Sequence, residues 1–385
     1  MINQIALYHE KEFDEKPSVI ASAPGKVDLL GEHGEESHGS VLSFAVDLRF
    51  YIAVSERDDN SFRFFSVNLD ERKKSTIAGL KFKREDRWAN YIKGVADSLI
   101  HMGYALRGVN FTLQSQIPMG VGMASSSAMT VAAVSALDKL FNLQMGDAEK
   151  LEVAKASERD FMNIPQEIRS PMVSYYARAD NFLLLDVNTL KIEYLPFKNS
   201  SLLWVITDSG VQENMSEDEK KEIDKSCREC VEALGLKGRG RLVKDFSKED
   251  LSGSIEGLSE RSRRICLHII RENMRVEEFR RAVEEKAPDA MGRVLFHSHE
   301  GLRDFLEISC PELDWLTRRS LETEGIYGSR MIGRGYGGCT VTLLEKDRMN
   351  LYEEHLEEYD RIFGFKANVY NVKLSDGVKI HFPEK

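Results

Sequence analysis

The chain contains no long apolar run. Within its 385 residues no stretch approaches membrane-spanning length, and the opening segment MINQIALYHEKEFDEKP places charge where a signal peptide would need an apolar core. A cytoplasmic protein with no membrane partner is expected. An excess of basic charge is also missing: the net charge of -10 argues against a nucleic-acid surface. Cysteine is scarce. The five present are an odd number without a disulfide framework, and Cys227 and Cys230, although spaced Cys-x-x-Cys, sit in the polar helical segment Glu217 to Leu234 with no second pair or histidine cluster to complete a zinc site. Cys310 and Cys339 read as small packing residues. Neither an internal repeat nor a low-complexity tract is found.

What is there suits a soluble enzyme. Apolar residues make up 42% of a chain too long for one ordinary core, so two domains are expected. The basic, then polar stretch Lys237 to Ser254 reads as an exposed loop between helices. A softer break at Lys198 to Ser201 precedes the strand-like run Leu202 to Ile206, which places the boundary between domains at 1–200 and 201–385.

The most informative segment is PMGVGMASSSAM, Pro118 to Met129. Gly120 and Gly122 allow close backbone approach, and Ser125, Ser126 and Ser127 lead into a helical repeat at Met129, Ala132, Ala133, Ala136 and Leu140. The unpartnered amides at the start of such a helix, at the positive end of its dipole, form an anion site with serine hydroxyls free to reach a metal. No Gly-Lys-Ser/Thr follows, so this is not a Walker sequence. Taken alone, the run also reads as a serine-capped turn of small residues.

Two further features bear on the same chemistry. In GSRMIGRGYGGCTVTLL (Gly328 to Leu344), glycines 333, 335, 337 and 338 precede a strand in which Val341 and Leu343 alternate with threonines, so the loop either approaches the phosphate site or forms a plain glycine-rich hairpin. Around Leu151, Ala154, Phe161 and Met162, the residue on the apolar helix face is Glu158. A carboxylate there is costly to bury without a partner, unless it lies at a half-exposed helix edge.

Together with SAPGKVDLLGEH (Ser22 to His33), the two glycine-rich runs form an ordered three-motif set that resembles the GHMP small-molecule kinases and, within them, the galactokinases. WANYIKGV (Trp88 to Val95), HIIREN (His268 to Asn273) and SHEGLRDFLEISCPELD (Ser298 to Asp314) resemble the galactokinases specifically, so the likeness covers nearly the whole chain. It implies an α+β fold of two domains with the active site in the cleft between them, the N-terminal one giving the phosphate loop and sugar motif and the C-terminal one the third glycine-rich motif. It implies ATP and magnesium as well, with Trp88, Pro118, Gly120, Gly122, Ser125, Ser126, Ser127, Gly335 and Gly337 at the nucleotide and Ser126 and Glu158 at the metal. Oxygen ligands of this kind, completed by phosphates and water, suit magnesium.

The sugar half departs from the family pattern. Galactokinases carry an arginine near the start of the first motif, then Glu-His-Thr-Asp-Tyr-Asn, and later Pro-Cys-Gly-x-Met-Asp-Gln, whose aspartate lies beside the reacting hydroxyl. Here the arginine position is Lys26, the first motif continues Glu32, His33, Gly34, Glu35, Glu36, Ser37, and the later stretch runs from Pro165 to Pro171 with Ser170 at the aspartate position. Serine cannot accept a proton near neutral pH as a carboxylate does, and a positioned base is typically worth roughly 10²- to 10⁴-fold in rate. Glu167 is a candidate substitute base. Glu32, His33, Glu35 and Asp218, the last at the family's tyrosine position, are the candidate sugar-binding residues. The expected function is a monomeric galactokinase-type kinase acting on galactose or a related small hydroxylated acceptor, with galactose a poor substrate or a mere ligand. The alternatives are a non-catalytic sensor of nucleotide or sugar and a purely structural interaction protein.

Overall fold

The structure, a computed structural model, describes residues 1–32, 39–118, 120–164, 168–235 and 257–383. The strands in chain order are β1 (Val19–Leu30), β2 (Ser40–Arg57), β3 (Ser61–Ser66), β4 (Glu71–Thr76), β5 (Gly108–Ser115), β6 (Asn181–Asp186), β7 (Lys191–Pro196), β8 (Leu202–Asp208), β9 (Ile326–Ile332), β10 (Cys339–Glu345), β11 (Asn368–Val372) and β12 (Lys379–His381). They form two sheets. The larger runs β12-β1-β2-β5-β3-β4, with β6 on β2 and β7 on β6, and the smaller runs β11-β8-β10-β9. Every pairing is antiparallel except β3 with β5. The expected boundary near Lys198 falls in the connection from β7 to β8, but β12 pairs with β1, so the end of the second half returns to the first sheet.

One shared core joins the halves. Phe44 of β2 and Phe182 of β6 meet Trp204 of β8 at ring separations of 5.5 and 5.8 Å, and Phe182 also meets Phe279, from the helix Glu260–Glu284, at 5.6 Å. Aromatic groups of this size bury large apolar areas, which fixes the sheets against each other and holds the cleft between them.

Two irregularities in the β1/β2 register shape that cleft. The pairing shifts between Pro24 and Lys26 and again between Asp28 and Leu30. Such shifts re-aim side chains. Just past the first, Lys26 resumes pairing opposite Ala45 while its amide donates to the Met123 carbonyl at 3.1 Å, which ties the strand to the phosphate loop. The helix that follows the loop, Ser125–Phe141, is buried over most of its circumference through Ala128, Val131, Ala132, Ala133 and Ala136, so its first turn is fixed in place.

The cysteine reading needs correction: Cys230 is bonded to Cys266, which joins the helix Glu217–Gly235 to the helix Glu260–Glu284. The pairing was hidden because the partners are 36 residues apart and meet only when the two helices pack. Cys339 is buried in the shared core. The expected loop Lys237 to Ser254 lies outside the described residues. No helix among the described residues is long and apolar enough to cross a membrane.

One buried histidine links the fold to pH. His9, on the helix Ile2–Phe13, is fully buried, with ring nitrogens 2.9 Å from Thr112 Oγ1 and 3.0 Å from Ser55 Oγ. Burial pulls its pKa from 6.5 to about 4. Between those values the unfolded chain binds a proton that the folded chain refuses, so stability present above pH 6.5 is lost as the pH falls toward 4, by about 3 kcal/mol for this group. Denaturant midpoints measured across that window should fall for the wild type and fall less for His9→Gln; equal slopes would contradict the assignment.

Candidate active site

A cavity of about 260 Å³ opens between the phosphate loop and the third glycine-rich loop. Gly122 and Gly333 are in contact there: a Cβ on Gly122 would stand 3.1 Å from Gly333 Cα, and one on Gly333 would stand 1.8 Å from Glu213 Oε1. Both have positive φ, so glycine is required for the loops to approach. Ser125, Ser126 and Ser127 line one wall at the start of their helix; Lys26, Arg169 and Ser170 line another; Glu213, Lys220 and Arg334 close the third.

Lys26 is held from beneath. Its ammonium pairs with the fully buried Asp28 carboxylate, which accepts from Ser43 Oγ at 2.5 Å and faces Arg169 Nε at 3.4 Å. Burial alone would raise the Asp28 carboxyl, but Arg169 and Lys26 overcome it and keep it well below the usual carboxylate range. Asp28 is therefore an anion that orients two cations toward the cavity. Behind the phosphate loop, Glu158 is buried beside Ser126, whose hydroxyl donates to it; burial is the larger effect and raises its pKa to about 7. Glu158 lies in a π-turn, Ser157–Phe161, that continues the helix Asp147–Ala156.

Glu32 is anchored on both oxygens. It accepts from Arg330 Nη2 at 3.0 Å and from the Gly333 amide at 3.2 Å, and its burial, only partly offset by Arg330, raises its pKa to about 7. Arg330 is fully buried on β9; it donates to the Leu29 carbonyl and to the Met331 carbonyl at 2.8 Å, and stands 3.4 Å from Glu272. Glu272 in turn accepts from Ser298 at 2.6 Å, Arg275 at 2.9 Å and the Gly31 amide at 3.3 Å. This buried network ties the first motif to the third.

A second, more apolar cavity of about 480 Å³ adjoins the first. Trp88, Tyr91, Phe50, Leu113 and Met129 line it, and Pro118, Ser125 and Ser126 border both cavities. Trp88 Nε1 donates to Glu71 at 3.0 Å.

Comparisons with known proteins identify the family. Residues 90–173 match the model of the GHMP kinases N terminal domain, and residues 8–56 match the galactokinase galactose-binding signature. The galactokinase of Thermotoga petrophila is 33% identical, with 93% of this chain and 98% of the relative covered; the galactokinase of Homo sapiens is 31% identical, with 96% and 94% covered. The chain belongs to the galactokinase family. It is an ATP-dependent sugar kinase that phosphorylates an alcohol group, and the sensor alternative finds no support. The crystal structure of Lactococcus lactis galactokinase complexed with galactose shares the fold, with a TM-score of 0.90 at 23% identity and 98% and 99% of the two chains covered.

Of the residues singled out in the sequence, Lys26, Glu32, Pro118, Gly120, Gly122, Ser125, Ser126, Ser127 and Ser170 come together around the first cavity. Two assignments are corrected. Asp218 is 94% exposed and paired with Lys221, because the helix beginning at Glu217 turns residue 218 outward and presents Lys220, Ile223 and Asp224 to the cavity instead. Gly335 and Gly337 pack against Ile308 and against the backbone of Val211 and Gln212, leaving Gly333 and Arg334 to line the cavity. His33, Glu35 and Glu167 lie outside the described residues. Among the described residues no group of three or more histidine, cysteine or acidic side chains forms a metal cluster.

Sequence reasoning missed Asp28, Glu213, Glu272 and Arg330. Asp28 sits two residues from Lys26 on a strand whose alternation would place both on one face, and that spacing was the available signal. Removing one partner from a buried ion network strands the others, at a cost of about 3–5 kcal/mol. Arg330→Met should therefore lower folding stability by that amount in urea titrations, and a change below about 1 kcal/mol would show that the network is not structural.

Proposed function

We propose that this kinase moves the γ-phosphoryl group of ATP onto a hydroxyl of galactose or a close relative held beside Lys26 and Ser170. The observation that carries the reading is one continuous cavity bordered by Lys26, Ser170, the serine-rich helix start and the third-motif loop. The phosphates would lie on the amides of the first helical turn, where the helix dipole favours anions. The adenine would lie in the adjoining apolar cavity against Trp88 and Tyr91. Ser126 and Glu158 fit magnesium: they offer two adjacent oxygen donors, and the ion completes its shell from phosphate and water. When bound, it would neutralise phosphate charge.

The acceptor half sets the rate. Phosphoryl transfer depends mainly on positioning and charge neutralisation, which Lys26 and the loop amides can supply without a strong base. Ser170 can hydrogen-bond the acceptor hydroxyl but cannot take its proton near neutral pH, so galactose is expected to turn over slowly. The cytoplasm is the compartment that supplies ATP and magnesium.

Saturating magnesium-ATP should raise the melting temperature, since a ligand at 100 times its Kd stabilises by about 2.7 kcal/mol. The double variant Ser126→Ala, Glu158→Ala should lose the magnesium dependence of that shift. Absence of any shift, with no binding by calorimetry, would contradict the reading. In a coupled assay with galactose, Ser170→Asp should raise kcat roughly 10- to 100-fold by restoring a positioned carboxylate. Rapid wild-type turnover that Ser170→Asp leaves unchanged would place the reaction centre elsewhere. If Glu167 is the substitute base, Glu167→Gln abolishes the wild-type rate.

A further inference from the structure

The phosphate loop contains no cation between Pro118 and Met129. A bound triphosphate needs positive charge beyond backbone amides, because the charge on the transferring group spreads over its oxygens as the reaction proceeds. Lys26 and Arg169 both lean on the Asp28 carboxylate. Arg334 is differently placed. It follows Gly333, whose backbone touches Gly122 of the phosphate loop, and it lines the same cavity as Ser125, Ser126 and Ser127. Its amide donates to Glu213 Oε1 at 3.1 Å, which fixes the backbone. Its side chain is about half exposed and pairs with Glu217, equally exposed, at 3.3 Å. An exposed pair of that kind contributes little and is readily exchanged for a better anion. The guanidinium also lowers the pKa of Glu158 and of Glu213 against the larger, raising effect of their burial.

We propose that Arg334, supplied by the third-motif loop, contacts the terminal phosphate of the bound nucleotide and neutralises charge on the phosphoryl group during transfer. The planar guanidinium matches phosphate oxygens with two parallel N–H groups. In the step, the bond from the γ-phosphorus to the bridging oxygen of ADP breaks and the acceptor oxygen bonds to that phosphorus. The hydroxyl proton leaves to solvent. Arg334 donates to non-bridging oxygens throughout. The proposal rests on nucleotide binding at the serine-rich loop.

Calorimetry on the full chain, with magnesium-ADP and with a magnesium complex of an ATP analogue whose β,γ bridge is methylene, tests it. Wild type should bind the triphosphate more tightly than ADP. Arg334→Ala should weaken the triphosphate roughly 10- to 100-fold, the value of a hydrogen bond to a charged group, while ADP affinity and melting temperature stay near wild type. Arg334→Lys should recover part of the loss, and Glu217→Gln should keep the wild-type preference for the triphosphate. The kcat for galactose should fall in Arg334→Ala with little change in the KM for the sugar. Unchanged discrimination in Arg334→Ala, or equal losses for both nucleotides, would overturn the proposal. Binding of neither nucleotide by wild type would overturn the kinase reading as well.

Discussion

The site depends on a single buried cation. Arg330 has no access to solvent, and its guanidinium reaches the carbonyl of Leu29, the carboxylate of Glu32 and that of Glu272. A charge at that depth is tolerable only when several partners surround it. The consequence is geometric: β1 from the first sheet, β9 from the second and the helix Glu260–Glu284 are held in one arrangement, and Glu32 passes that constraint to the Gly333 amide. The third-motif loop thereby meets the phosphate loop at Gly122.

Above that network, the cavity is organised by where its carboxylates sit. Asp28 lies below Lys26 and Arg169 and holds both, so its charge orients cations instead of facing the acceptor. Glu158 lies behind Ser126, and Glu213 is fixed between the two glycine-rich loops by the Arg334 amide. Ser170, which faces the cavity, carries no charge. On the proposed reading, the site is equipped to hold phosphate and weakly equipped to deprotonate a sugar hydroxyl. That division follows from phosphoryl transfer itself, in which charge stabilisation outweighs proton removal.

Much of this was legible in the sequence because it depended on local chemistry. The glycines and serines of Pro118 to Met129 act through backbone conformation and helix-end amides, and both are properties of adjacent residues. Glu158 stood out because a carboxylate on an apolar helix face demands a partner. The Cys230–Cys266 bond, the Arg330 network and the position of Glu213 depend on residues far apart in the chain, and one sequence carries no signal for such pairings. HIIREN and SHEGLRDFLEISCPELD were recognisable as motifs, yet their purpose appeared only when Glu272 and Ser298 were found beneath the first motif. The mistaken placement of Asp218 has a simpler cause: the face a helical residue presents depends on where the helix starts, and a shift of two residues turns a lining side chain outward.

The central claim is that this cavity transfers phosphate to a sugar, and the most direct test is a single-turnover experiment with ATP labelled at the γ-phosphate, excess enzyme, magnesium and galactose. The label should move to the sugar in a single phase whose rate rises on Ser170→Asp. Bound nucleotide that keeps its label in the presence of galactose and related sugars would contradict the account.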